Sequence, residues 1–185
     1  MQFELLRAHQ RFLPLIGQRQ RRPDDEAIPL TNLLVSPAVK NTLLNALGEG
    51  GPHSGPLFGY RDQSELHVRF AAARGYSAAL APDPLAMDPL YLLGLTDAYR
   101  QTDPRLDWTG QWLTARGGQF PNVSNCLRWF ERAAGQQLVT PEHPLVFAGW
   151  MDESFTLLAC HMGPDEFEPC IWLPLHFTAE PEAQA

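Results

Sequence analysis

LTNLLVSPAVKNTLLNALGEGGPHSGPLFGY, residues 30–60, carries the punctuation from which the fold class is read. Leu30–Val35 has the β-branched Thr31 and Val35 around Leu33 and Leu34, and it reads as a strand. Ser36-Pro37 follows at once. A serine hydroxyl can accept from the free N–H groups of a first helical turn, and proline at the next position has no N–H to waste there. A helix is therefore predicted over 37–48, with Val39, Leu43, Leu44 and Leu47 as its apolar stripe. Gly48-Glu49-Gly50-Gly51-Pro52 stops it, and Pro56–Tyr60 is the next strand.

Outward from this stretch the same signals recur. Leu66–Phe70 is a strand partner of Pro56–Tyr60 around the polar turn Arg61-Asp62-Gln63-Ser64, extending toward Ala73. Asp88-Pro89 repeats the cap-plus-proline device and predicts a helix to about Arg100, with Leu90, Leu93, Leu95 and Ala98 apolar. Leu106–Ala115, rich in Trp and Thr, reads as a strand, and Arg116–Pro121 as a loop. Asn122 is then an N-cap for a helix with Val123, Cys126, Leu127, Phe130 and Ala134 on its apolar face, ending at Gly135. Strands are predicted at Leu145–Met151, Phe155–His161 and, after the turn at Gly163–Glu166, Phe167–Phe177. Pro174 puts that last strand at an edge or on a bulge, because proline brings no ladder donor.

The order strand, helix, two strands, helix, strand, helix, three strands predicts an α+β fold of the α/β three-layer type, a mixed β-sheet flanked by helices. The domain is expected at 29–178. Residues 1–28 form a basic segment in which Phe3, Leu6, Leu13 and Ile16 mark one helical face among Arg7, Arg11, Arg19, Arg21 and Arg22. The tail 179–185 is expected to be disordered.

Composition narrows the function. The chain has 185 residues, 44% of them hydrophobic, and a formal net charge of −7. That balance supports a sizeable core and argues against a protein that coats nucleic acid or an anionic membrane. No apolar run approaches the roughly 18 residues of a membrane span, and no secretory h-region is written near the start, so a cytoplasmic location is expected. All the basic residues except Lys40 are arginine, as a GC-rich genome would give. Cys126, Cys160 and Cys170 are too few and too scattered for a disulfide framework, and no CxxC pair points to a zinc ribbon. No phosphate-binding or dinucleotide-binding glycine motif is present, so no cofactor is expected.

Several phrases resemble the MPN domain, also called the JAB or JAMM fold, whose layering is like that of cytidine deaminases. They are the Ser36-Pro37 helix start, Gly55-Pro56-Leu57-Phe58-Gly59 after that helix, and Gly110-Gln111-Trp112-Leu113-Thr114-Ala115-Arg116. Gly117–Asn125 and Pro141–Gly149 continue the series. The resemblance covers roughly 29–178 and rests on order and spacing more than on identity. Active members of that family hold zinc with two histidines and an aspartate, and a glutamate acts as general base on the bound water. The histidine positions fall here on Leu113 and Ala115, and the aspartate position on Asn125, or on Cys126 or Leu127 if the loop length differs. The glutamate position falls near Pro52, with Glu49 the closest carboxylate upstream. Hydrocarbon side chains cannot acidify water through a metal.

The resemblance therefore implies a catalytically inactive, metal-free member, a pseudoenzyme, working as a protein-interaction or scaffold module that pairs with a protein partner or with itself. The expected interaction groove is lined by Trp112, Arg116, Gln119, Phe120, Asn122 and Asn125. Two other functions compete. One is a metal-dependent (iso)peptidase-like hydrolase with a non-standard ligand set drawn from His53, Cys126, Cys160, His161, Cys170 and His176. The Cys126/His53 and Cys160/His143 pairs belong to the same reading, as nucleophile and base. The other is a nucleic-acid or regulatory adaptor acting through the arginine-rich segment. His161 and His176, beside apolar neighbours on strands, are expected to be hydrogen-bonded structural histidines.

Overall fold

Three helices begin where their capping residues predict. Ser36 Oγ accepts from the N–H of Val39 at 3.4 Å, Asp88 Oδ1 from that of Tyr91 at 3.1 Å, and Asn122 Oδ1 from that of Asn125 at 2.9 Å. The computed structural model describes residues 29–163 and 169–178. The basic segment 1–28 and the tail 179–185 lie outside the described residues. In chain order the elements are β1 (Asn32–Val35), α1 (Pro37–Gly48), β2 (Ser54–Asp62), β3 (Glu65–Ala71), α2 (Tyr76–Ala79) and α3 (Pro89–Arg100). They continue with β4 (Asp107–Gln119), α4 (Val123–Gly135), β5 (Leu145–Met151), β6 (Ser154–Met162), β7 (Cys170–Leu173) and β8 (Leu175–Phe177).

The fold is α+β. Eight strands form one mixed sheet in the order β7-β6-β5-β4-β2-β3-β1-β8. The β1–β3, β1–β8 and β4–β5 pairs are parallel, and the remainder are antiparallel.

The predicted strand 167–177 is not continuous. It splits at Pro174, and its halves lie at opposite ends of the sheet order, β7 beside β6 and β8 beside β1. Successive stretches of chain can occupy both ends only if the twisted sheet curls until its ends approach, nearly closing into a barrel. Contacts across the seam agree. The Pro174 carbonyl accepts from Leu33 N–H at 2.9 Å, and the Phe155 and Phe177 rings from β6 and β8 sit 6.5 Å apart. Proline suits the changeover because no ladder donor is required there.

Side chains alternate between two hydrophobic clusters, as a two-residue period dictates. On β5, Leu145 and Phe147 join Cys126, Phe130 and Leu92 from α4 and α3, whereas Val146 and Ala148 join Val39 and Leu43 from α1. Helices thus cover both faces. No helix among the described residues is long and apolar enough to cross a membrane.

Two expectations need correction. Arg116–Gln119, read as loop, extends β4. Gly117 and Gly118 take φ of +79° and +73°, which lets the strand kink and resume pairing at Gln119↔Trp150. In α3 the buried residues are Leu92 and Thr96, while Leu90 projects into solvent. The Thr96 hydroxyl, which donates to the Leu92 carbonyl at 2.8 Å, is what allows a polar residue on the core side.

Candidate functional site

The end of β4 is fastened on two sides, and this fixes the start of α4. Toward α1, the His53 N–H donates to Thr114 Oγ1 at 2.9 Å. In return the Thr114 N–H donates to the His53 carbonyl at 2.7 Å, and the Gly117 N–H donates to the Gly50 carbonyl at 3.3 Å. Toward β5, the Phe120 N–H donates to the Trp150 carbonyl at 2.9 Å. The Phe120 backbone lies so close to Gly149 that a Cβ there would come within 2.5 Å of the Phe120 Cα. Asn122 then caps α4, and the Asn125 side-chain oxygen accepts from Arg128 at 2.7 Å.

The other end of α4 is anchored by Asp83, in the loop before α3. Its Oδ2 accepts from Arg132 at 2.9 Å and from Gln136 at 2.7 Å. Partial burial alone would raise the Asp83 pKa, but donors from Leu85 N–H, Gln136 and Arg132 outweigh it and hold the carboxyl below its ordinary value. A helix pinned at both ends presents its outer side as a rigid surface.

The expected groove residues do not all share that surface. Arg116, Gln119 and Asn122 are exposed, and Phe120 and Asn125 are half-buried. Trp112 is a core residue instead. It is 1% exposed, belongs to the α1-side cluster, and donates from Nε1 to the Ala72 carbonyl at 2.8 Å. Phe120 packs with the opposite cluster. Eight residues of regular strand would keep the two on one face; the register shift between Thr114 and Gln119, at the Gly117–Gly118 kink, puts them on opposite faces.

The α4 face also differs from its prediction. Cys126, Phe130 and Ala133 pack inward, whereas Val123 is 63% and Leu127 is 37% exposed. These two lie one turn apart on one side of the helix, next to Phe120 in the chain. The sequence contained the relevant signal, two i, i+4 apolar pairs, Val123/Leu127 and Cys126/Phe130, offset by three positions.

The residues on which the resemblance would place zinc ligands are apolar or engaged otherwise. Leu113 is 2% exposed and shares its cluster with Cys126, Phe130 and Phe147. Ala115 is half-buried. Glu49 Oε2 lies 3.6 Å from His53 Nε2 at the end of α1. Among the described residues no group of three or more His, Cys, Asp or Glu side chains is arranged to hold a metal ion.

The proposed nucleophile pairs are engaged elsewhere. Cys126 Sγ donates to the Pro121 carbonyl at 3.5 Å, and His143 Nδ1 pairs with Thr140 Oγ1 at 2.8 Å. His161 is buried, and burial pushes its pKa down against weaker opposing interactions with the Pro141 and Met162 backbone, which keeps the ring neutral.

No protein-family model matches the chain, and no curated protein matches its sequence. Among solved structures, the chain is similar to the solution structure of protein DSY2949 from Desulfitobacterium hafniense. The TM-score is 0.59 at 13% identity, over 82% of this chain and 97% of that one. That likeness is one of fold alone.

Proposed function

We propose that this chain is a non-catalytic protein-interaction module with MPN/JAB-like layering, and that a partner protein seats on the surface formed by the end of β4 and the N-terminal half of α4. The observation that carries the reading is the exposure of Val123 and Leu127, one turn apart on a helix whose core packing is already supplied by Cys126, Phe130 and Ala133. Apolar side chains in solvent beside a half-buried aromatic, rimmed by Arg116, Gln119 and Arg128, have the composition of a small docking surface: apolar centre, polar edge. Leu113 supports the non-catalytic half of the proposal. It occupies a position where the family's active members need an imidazole, and it contributes hydrocarbon packing there.

The test is site-specific photo-crosslinking of the full chain in the cells that make it. A crosslinking residue at position 123 or 127 is expected to yield a discrete protein adduct, and one at position 41, exposed on α1, is not. Val123→Asp should abolish the adduct formed from position 127 while changing stability by less than about 0.5 kcal/mol, as surface substitutions usually do. An adduct of twice the chain mass would identify the partner as a second copy. Equal labelling from all three positions, or none from 123 and 127, would contradict the proposal.

A further inference from the structure

The chain's cysteines are widely spaced in sequence, yet all three converge on the α3/α4 face of the sheet. Cys126 comes from α4 and Cys160 from β6, and both are buried, while Cys170 on β7 is half-buried. In the β6–β7 register, Cys160 stands opposite Trp172 and Met162 opposite Cys170. Cys160 and Cys170 are therefore diagonal neighbours on one face. The two side chains project side by side, and each thiol perturbs the acidity of the other.

We propose that Cys160 and Cys170 are a modification site, a reversible dithiol/disulfide pair in which Cys170 reacts first with a hydroperoxide and Cys160 then closes the bridge. Accessibility sets the order. Cys170 is the only one of the three open to solvent. The neighbouring Cys160 thiol favours the Cys170 thiolate and holds its pKa below the ordinary thiol value, and the thiolate is the nucleophilic form. Cys160, buried beside it, is held protonated. Burial raises Cys126 to about 11, which leaves it unreactive.

In the first step the Cys170 thiolate attacks one peroxide oxygen and the O–O bond breaks. Cys170 becomes a sulfenic acid, and the departing alkoxide takes a proton from water to leave as an alcohol. In the second step Cys160 gives up its proton and its sulfur attacks the Cys170 sulfur. The S–O bond breaks, and the released hydroxide leaves with that proton as water. The two sulfurs are oxidised and the peroxide is reduced. Diagonal Cα atoms lie about 7–8 Å apart, slightly beyond the usual disulfide span of about 4.4–6.8 Å, so β7 must draw toward β6. It can do so because it has four residues, no strand on its other side in the sheet order, and Pro174 at its end. The bridge would tie the end strand β7 to β6.

The experiment is hydrogen peroxide treatment of the reduced full-length protein, followed by alkylation under denaturing conditions and peptide mapping. Two of the three thiols are expected to become unavailable, in a linked Cys160–Cys170 peptide that dithiothreitol restores. Cys160→Ser should stop the reaction at a sulfenic acid on Cys170 that dimedone traps. Cys170→Ser should slow oxidation of the remaining thiols at least about tenfold. If either variant fails to fold, mapping of the unaltered chain decides alone. Three alkylatable thiols after peroxide, a bridge to Cys126, or over-oxidised Cys170 beside a free Cys160 would each overturn the proposal.

Discussion

Trp112→Ala is expected to destabilise the fold by about 3–5 kcal/mol, the usual cost of emptying a buried aromatic site. Its indole is 1% exposed and packs between α1 and the sheet with Leu57, Val146 and Ala148. Truncation leaves a cavity there and strips the half-buried Ala72 carbonyl of its Nε1 donor, a further loss of about 0.5–1.5 kcal/mol. Against a total stability of about 5–15 kcal/mol, much of the protein would unfold under mild conditions. Trp112→Phe keeps most of the volume and should cost less than half as much. Urea midpoints of the two variants separate core from surface. A Trp112→Ala loss below about 1 kcal/mol would return the side chain to the interaction groove in which its sequence context placed it.

Gly59→Ala should be nearly as damaging, though it adds a single methyl. A Cβ at Gly59 would lie 2.0 Å from the His67 carbonyl oxygen and 2.9 Å from its carbon. Both atoms are backbone of the neighbouring strand, beside the register shift between Phe58 and Gly59. A flexible side chain could step aside; a paired backbone cannot without losing its ladder. Overpacking of this kind costs about 1–3 kcal/mol and sometimes more. Gly48→Ala is the control, because its Cβ would meet nothing within 4 Å and alanine favours the helix by up to about 1 kcal/mol. The midpoint of Gly59→Ala should fall and that of Gly48→Ala should hold or rise. A Gly59→Ala protein as stable as the unaltered chain would contradict the close β2–β3 approach.

What could be read from the sequence was what is settled locally. The starts of α1, α3 and α4 follow from Ser36-Pro37, Asp88-Pro89 and Asn122, each of which satisfies the first-turn N–H groups within its own few residues. Pro174 was legible as an interruption, but not as the point where the chain passes from one end of the sheet to the other. That depends on the curl of strands far away in sequence. The extension of β4 through Gly117 and Gly118 was hidden for a similar reason. Two glycines signal a loop unless a distant strand, here β5 at Trp150, captures the backbone beyond them. On α4 two apolar pairs, Val123/Leu127 and Cys126/Phe130, competed for the core, and the packing of β5 and β6 decided between them. Trp112 and Phe120 were grouped by nearness in sequence, which the register shift at Gly117 and Gly118 undoes. The convergence of the three cysteines needed the full β6–β7 register, since a slip of one residue would put Cys170 on the other face.

The claim on which the functional account rests is that hydrocarbon at Leu113 and Ala115 leaves this fold without a hydrolytic metal centre. Metal analysis of the full-length chain, purified from its native cells without added metal or chelator, tests it most directly. Less than about a tenth of an equivalent of zinc is the expected result, with no change in thermal midpoint on addition of a strong chelator. One zinc per chain, together with a chelator-induced fall in the midpoint, would contradict it.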